Sequence, residues 1–420
     1  MLVVVLLCAA LAQPSLAKTG WPSGPAGSNV TLARSERDLS WLTSWLPWSR
    51  RGAAQQTSTA EPDRTGGRNG KFLNIFTIVR FANEECRGSN GLNGTCVSPA
   101  ECRQRGGQDS GTCAGSYGVC CTMTGGCGNF TRYNNSYFES QSSGASPNCQ
   151  YTVYRDPGAP ICQLRLDFET FKLAQPDSVT GQCTTDAFSV SGNVNAVPVI
   201  CGENAGQHMY IDVDPNSDRT VLQISTSQSA QGTAVTRNWK IRVQQIECNS
   251  TTRAPSACLQ YFTGVTGTLK SFNFDGSETG PHLASQNYAV CIRDEALYCS
   301  IEYAASTVTN AFRLDQATTS QKGSQCTFDF LTIDGISQDG LLQSSGQQTG
   351  TQNQAFDRHC GGVWAGTNSA QASAPTPAIT YMKPYIVRVR FDNTESTGES
   401  DNRGFSLNFI QKPCSVLGRR

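Results

Sequence analysis

The sequence predicts an all-β fold: two antiparallel β-sandwiches in tandem, preceded by a small disulfide-rich knot. Three observations predict it. Apolar and polar residues alternate with period two in ICQLRLDFETF (Ile161 to Phe171) and RNWKIRVQQIEC (Arg237 to Cys248), and neither half of the chain has a helical period. The second half repeats landmarks of the first. Six cysteines fall between Cys86 and Cys121 in a Gly-rich stretch with few large apolar side chains.

The chain opens MLVVVLLCAALAQPSLA, an apolar run ending in the small residues Ser15-Leu16-Ala17, which reads as a signal peptide over 1–17. Removing Cys8 with it leaves 18 of the 19 cysteines, an even number suited to complete pairing in an oxidising compartment. Sequons begin at Asn29, Asn93, Asn129, Asn134 and Asn249, as expected of a secreted, extracellular glycoprotein. No later apolar run is long enough to span a membrane, and KPCSVLGRR lacks the hydrophobic tail of a lipid-anchor signal. The balance of 33 Lys plus Arg against 33 Asp plus Glu gives no reason to expect nucleic acid or anionic lipid as a partner.

Residues 18–70 are rich in Ser, Gly, Ala, Pro and Arg and read as a flexible leader. Within it SERDLSWLTSWLPWSRR has the pattern of a short Trp-rich helix ended by Pro47 and followed by the dibasic pair Arg50-Arg51, read either as an accessory segment of a disordered arm or as an aromatic anchor released by cleavage after Arg51.

The β-formers Phe72, Ile75, Phe76, Ile78, Val79 and Phe81 then predict a strand that enters the cysteine cluster and docks it beside the first sandwich. The cluster occupies 71–124. It lacks the apolar area to offset its ordering entropy, and three disulfides, each stabilising by roughly 2–4 kcal/mol, would supply the difference. Six cysteines allow 15 connectivities. The spacing, ending in GVCC, resembles the clip domain found ahead of extracellular arthropod serine proteases. That resemblance implies Cys86–Cys120, Cys96–Cys113 and Cys102–Cys121.

The repeat is carried by QCTTDAFSVSG (Gln182 to Gly192) and QCTFDFLTIDG (Gln325 to Gly335), which lead to Cys201-Gly202 and Cys360-Gly361. RGFSLNFIQKPC (Arg403 to Cys414) aligns without a gap on Arg237 to Cys248. Trp239, Ile241 and Val243 face one way, as do Phe405, Leu407 and Phe409, so each copy closes on a half-buried strand. CSIEY (Cys299 to Tyr303) repeats the phase of the strand at Cys162. Together with CGNFTRYNNSYFES and NCQYTV, these features resemble CUB domains, an extracellular β-sandwich family. The copies span 125–249 and 250–417. The resemblance implies Cys127–Cys149 and Cys183–Cys201 in the first, and Cys258–Cys291 and Cys326–Cys360 in the second. The four cysteines left over occupy equivalent repeat positions, so the simplest pairing is Cys162–Cys248 and Cys299–Cys414. A clip-like knot before two CUB-like domains is similar to a group of secreted arthropod CUB-domain-containing proteins.

Catalytic constellations are scarce. His208, His282 and His359 are the three histidines, no H-E-x-x-H is present, and no G-D-S-G-G-like segment completes a triad. The resemblance implies one metal candidate, calcium in the second copy, held by Asp315, Asp329 and Asp392 with Glu395 nearby. Oxygen-only donors suit that hard cation. In the first copy Ala174 replaces the first acid and only Asp186 remains, so no calcium is expected there. The expected function is non-catalytic: a secreted adaptor that recognises an extracellular protein or glycan through sandwich loops, linked to extracellular protease regulation. The alternative is a structural component of extracellular matrix or cuticle.

Overall fold

The computed structural model describes residues 32–33, 78–79, 81, 83–140, 147–227, 236–274, 281–315, 317–336, 357–366, 372–393 and 402–414. The signal peptide, the Trp-rich segment, Arg50-Arg51, Asn29, Phe72 to Phe76 and Glu395 lie outside them. Two short strands, β1 (Leu32–Ala33) and β2 (Ile78–Val79), pair antiparallel.

The knot consists of β3 (Glu85–Arg87), β4 (Asn93–Val97), helix α1 (Pro99–Gln104), β5 (Gln108–Cys113) and β6 (Gly118–Gly125). Helix α1 starts where Ser98 Oγ accepts the Glu101 N–H at 3.2 Å, with Pro99 in the first turn where its missing N–H costs nothing. Disulfides join Cys86–Cys120, Cys96–Cys113 and Cys102–Cys121 around a core of only Val97, Val119 and the buried Cys102 and Cys121.

The first sandwich contains β7 (Phe130–Thr131), β8 (Ser136–Glu139), β9 (Asn148–Tyr154), β10 (Ile161–Lys172), β11 (Asp186–Ser191), β12 (His208–Asp212), β13 (Arg219–Thr226) and β14 (Asn238–Glu247). One of its sheets has the order β11-β13-β9-β7. The other runs β12-β10-β14-β8 and continues into the knot as β6-β4-β3, with β5 also on β6. Leu164, Leu166 and Phe168 face the core as the alternation requires, and Phe171 joins them despite its odd spacing. A register shift between Phe168 and Thr170 resets the phase of β10 against β14, the effect of a β-bulge. Cys127–Cys149, Cys162–Cys248 and Cys183–Cys201 tie this sandwich.

The second sandwich packs β15 (Cys258–Phe262), β17 (Asn287–Ile292), β24 (Tyr385–Arg390), β21 (Phe330–Ile333), β22 (Arg358–Gly361) and β20 (Ser320–Lys322) in one sheet, in that spatial order. The other sheet holds β16 (Thr266–Lys270), β25 (Gly404–Pro413), β18 (Tyr298–Ala305) and β23 (Ala378–Thr380), with β19 (Phe312–Arg313) also on β25. Phe405, Leu407 and Phe409 are buried as expected. Cys258–Cys291, Cys299–Cys414 and Cys326–Cys360 are its bridges.

Two features go beyond the sequence-based expectation. The knot joins the first sandwich through its last strand, while most of the stretch Phe72 to Phe81 expected to dock it lies outside the described residues. Met123, Thr124 and Gly125 of β6 pair in parallel with Ser136, Tyr137 and Phe138 of β8. The Asn93 N–H donates to the Tyr137 hydroxyl at 2.9 Å, and Arg242 reaches Glu85 of the knot at 2.7 Å. Backbone pairing of this kind leaves little trace in side-chain composition. Second, Gln163 is fully buried although it lies on the polar side of β10. Its amide donates to Asp212 Oδ1 at 2.8 Å and accepts the Ala254 N–H at 2.9 Å, because the segment leading into the second sandwich covers that face.

The sandwiches share further bonds. Asn273 Oδ1 accepts the Glu203 N–H at 2.9 Å, and its own N–H donates to Asn204 Oδ1 at 2.8 Å. Asp212 Oδ2 accepts from Ser256 and Ala257. The Cys-Gly pair of the first repeat serves this contact. Gly202 has φ +74°, and a Cβ there would stand 1.9 Å from Asn273 Oδ1. Gly202→Ala is therefore expected to lower stability by roughly 2 kcal/mol, read as a lower denaturant midpoint, since both the backbone conformation and the inter-sandwich hydrogen bonds are disturbed.

Candidate functional site

Two of the acids expected to bind calcium accept backbone bonds. Asp329, on the loop entering β21, accepts the Asp392 N–H through Oδ1 at 2.8 Å, while its Oδ2 lies 3.7 Å from His282 Nε2. Asp315, after β19, accepts the Ala317 N–H at 2.7 Å. Among the described residues no three His, Cys, Asp or Glu side chains converge as a metal group. Calcium requires six to eight oxygens, and Glu395, the further acid expected beside these three, lies outside the described residues.

In the first sandwich Asp186 meets a cation supplied by the chain. Its carboxylate is buried and receives Arg237 Nε at 2.8 Å and Nη2 at 2.9 Å, together with the Ala174 N–H at 2.7 Å. Arg237 also donates to the Ser227 carbonyl at 2.7 Å. The guanidinium thus holds β11, the start of β14 and the Ser227 backbone together, a bidentate geometry that favours Arg over Lys.

All three histidines are buried. His208 on edge strand β12 accepts the Tyr261 N–H of the second sandwich through Nε2 at 3.0 Å, and its ring packs edge-on against Phe262. That bond requires a neutral imidazole with its proton on Nδ1. Burial, reinforced by Arg165 and opposed by Asp167, pushes the His208 pKa down to about 4. His282 stacks on Phe391 with centroids 4.2 Å apart, and His359 packs against Trp364 at 5.1 Å.

The sequence did not single out a cleft of about 560 Å³ at one end of the first sandwich, where Arg132, Tyr154, Pro157, Pro160 and Pro215 line the space beside Cys162–Cys248. Beside it stands Phe130, 65 % exposed, packed edge-on against Tyr154 at 5.8 Å. The Arg132 guanidinium lies 4.7 Å from the centre of the same Tyr154 ring, and among the described residues it meets no carboxylate. The only signal in the sequence is an aromatic residue on the outward side of a strand, at Phe130 of CGNFTRY. The described sequon asparagines divide by environment: Asn129 and Asn249 are exposed, whereas Asn93 and Asn134 are half-buried.

Two outcomes are expected. Arg237→Ala leaves Asp186 buried without its cation and should lower stability by about 3 kcal/mol or more, read as a lower melting temperature. For His208 the unfolded chain takes up its proton near 6.5 and the folded chain only near 4. Stability from this group is complete above about pH 6.5 and falls as pH drops towards 4, by up to roughly 3 kcal/mol. Denaturation across that range should show the loss in wild type and a flatter profile in His208→Gln.

Residues 255–412 match the family model of the animal CUB domain. No curated protein matches the chain. Among solved structures, the CUB1-EGF-CUB2 domains of rat MASP-1 align at 13 % identity over 69 % of this chain and 99 % of theirs, with a TM-score of 0.21. The corresponding human MASP-1/3 domains align at 11 % identity over 66 % of this chain and 98 % of theirs, with a TM-score of 0.20. The full extracellular region of zebrafish Gpr126/Adgrg6 aligns at 12 % identity over 70 % of this chain and 34 % of its own, with a TM-score of 0.22. The match to the animal CUB domain covers the second sandwich and less than half of the chain, and CUB domains are non-catalytic binding modules.

Proposed function

We propose that this chain is a secreted, non-catalytic adaptor that recognises an extracellular protein or glycan, with the Phe130–Tyr154–Arg132 cluster as its principal contact. The observation that carries the reading is the exposure of that cluster beside a cleft of about 560 Å³. Aromatic residues and Arg dominate binding energy where they stand beside a cavity, because they contribute large contact area and directional charge. An Arg that meets no carboxylate among the described residues favours a protein partner bearing an acidic side chain over a neutral glycan. The non-catalytic reading is supported by the histidines, which are committed to packing and to the inter-sandwich contact.

The test is affinity capture from native extracellular fluid by the immobilised, glycosylated mature protein. A discrete partner is expected on wild type, with binding weakened tenfold or more by Arg132→Ala or Phe130→Ala, equivalent to at least about 1.4 kcal/mol. Recovery of the protein itself or of bulk matrix alone would overturn the adaptor and favour a structural component.

A further inference from the structure

A second cleft, of about 540 Å³, lies where the knot, the first sandwich and the segment joining the two sandwiches meet. Its size is that of a ligand site, but its lining differs from the apolar walls of most small-molecule pockets. Glu85 comes from the knot, Arg165 and Gln244 from the outer face of β10 and β14, and Thr251 and Thr252 from the joining segment. Arg165 is already paired with Asp167 at 2.8 Å and donates to the Tyr210 hydroxyl at 2.9 Å, and Glu85 is paired with Arg242 at 2.7 Å. With these charges matched, the site suits neither a bare anion nor a bare cation. Carboxylate, amide and hydroxyl groups around an Arg–Tyr pair offer the mixed donors and acceptors that suit a hydroxylated, acetamido-bearing sugar.

Two sequon asparagines, Asn134 and Asn249, line this same cleft although they are distant in sequence. They differ in readiness. Asn134 Oδ1 accepts the Gln245 N–H at 2.8 Å and the Asn135 N–H at 2.9 Å, and its carbonyl accepts from Thr95 of the knot. Asn249 is exposed, and among the described residues its amide has no hydrogen bond. Its backbone is nevertheless held. Cys248 beside it is bridged to Cys162, the Ser250 N–H donates to the Glu247 carbonyl at 3.1 Å, and the Ser250 and Thr252 hydroxyls bond at 2.8 Å.

We propose that Asn249 carries an N-linked glycan whose first N-acetylglucosamine residues lie in this cleft and brace the knot against the joining segment. The inference rests on the reading that the chain is exported. The modification forms a bond from Asn249 Nδ2 to the anomeric carbon of a lipid-diphosphate-linked oligosaccharide. The bond from that carbon to phosphate oxygen breaks, the lipid diphosphate leaves, and the amide gives up one proton. The seated sugar replaces cleft water and restrains two segments that share few other contacts, so local opening of either becomes rarer.

The test uses the full chain secreted from eukaryotic cells, with glycopeptide mapping and hydrogen exchange on wild type, Thr251→Ala, Thr251→Ser and Asn129→Gln. Asn249 should be occupied in wild type, Thr251→Ser and Asn129→Gln and unoccupied in Thr251→Ala. Exchange over 84–87 and 244–252 should rise roughly fivefold or more in Thr251→Ala alone. Native wild type should also retain its Asn249 glycan under a peptide N-glycosidase that removes the one on Asn129. Unchanged exchange in Thr251→Ala, ready release from native Asn249, or a glycan on Asn134 but not Asn249 would each overturn the proposal. Absence of glycan from every sequon would overturn it together with export, and glycans elsewhere but not at Asn249 would leave export standing.

Discussion

Continuity of one sheet from the first sandwich into the knot is the constraint on which the amino-terminal half depends. Strand β14 pairs with β10 on one side and β8 on the other, and β8 passes the pairing to β6 of the knot. A stretch as poor in apolar side chains as Cys86 to Cys121 has little core of its own and gains order from disulfides and from this shared edge. The same pairing covers the β8 edge, whose free N–H and C=O groups would otherwise be open to another chain.

The joint between the sandwiches is largely polar. Gln163, Asp212, Asn204, Asn273 and His208 are buried there, and each bonds across or beside the boundary. Groups of this kind are costly when left unmatched, so the arrangement favours one relative placement of the two sandwiches over sliding alternatives. Small apolar contacts among Tyr210, Ile246, Ala254, Cys258 and Cys291 fill the remaining space. The two sandwiches are thereby held at fixed spacing rather than as independent beads.

The two repeats resolve equivalent acids differently. Asp186 is neutralised by Arg237 within the chain, whereas Asp329 organises the Asp392 backbone and faces His282. Both solutions stabilise a loop base. The histidines, whose residue type alone suggests chemistry, are buried instead: His208 at the joint between the sandwiches, His282 against Phe391 and His359 against Trp364.

What the sequence alone determined is the part governed by local periodicity and repetition. Alternation at Leu164 to Phe168 and Phe405 to Phe409 states which face is apolar, and water's exclusion of that face leaves an all-β sandwich as its burial. The equivalence of Gln182 to Gly192 with Gln325 to Gly335 states that the sandwich occurs twice. Only the tertiary structure decided which polar faces stay wet. The covered Gln163, the inter-sandwich bond of His208, the bond between Asp329 and the Asp392 backbone, and the clefts at Arg132 and Asn249 all depend on segments far apart in the chain. Their side chains carry no local pattern, because burial and hydrogen bonding at such places are set by what another strand brings against them.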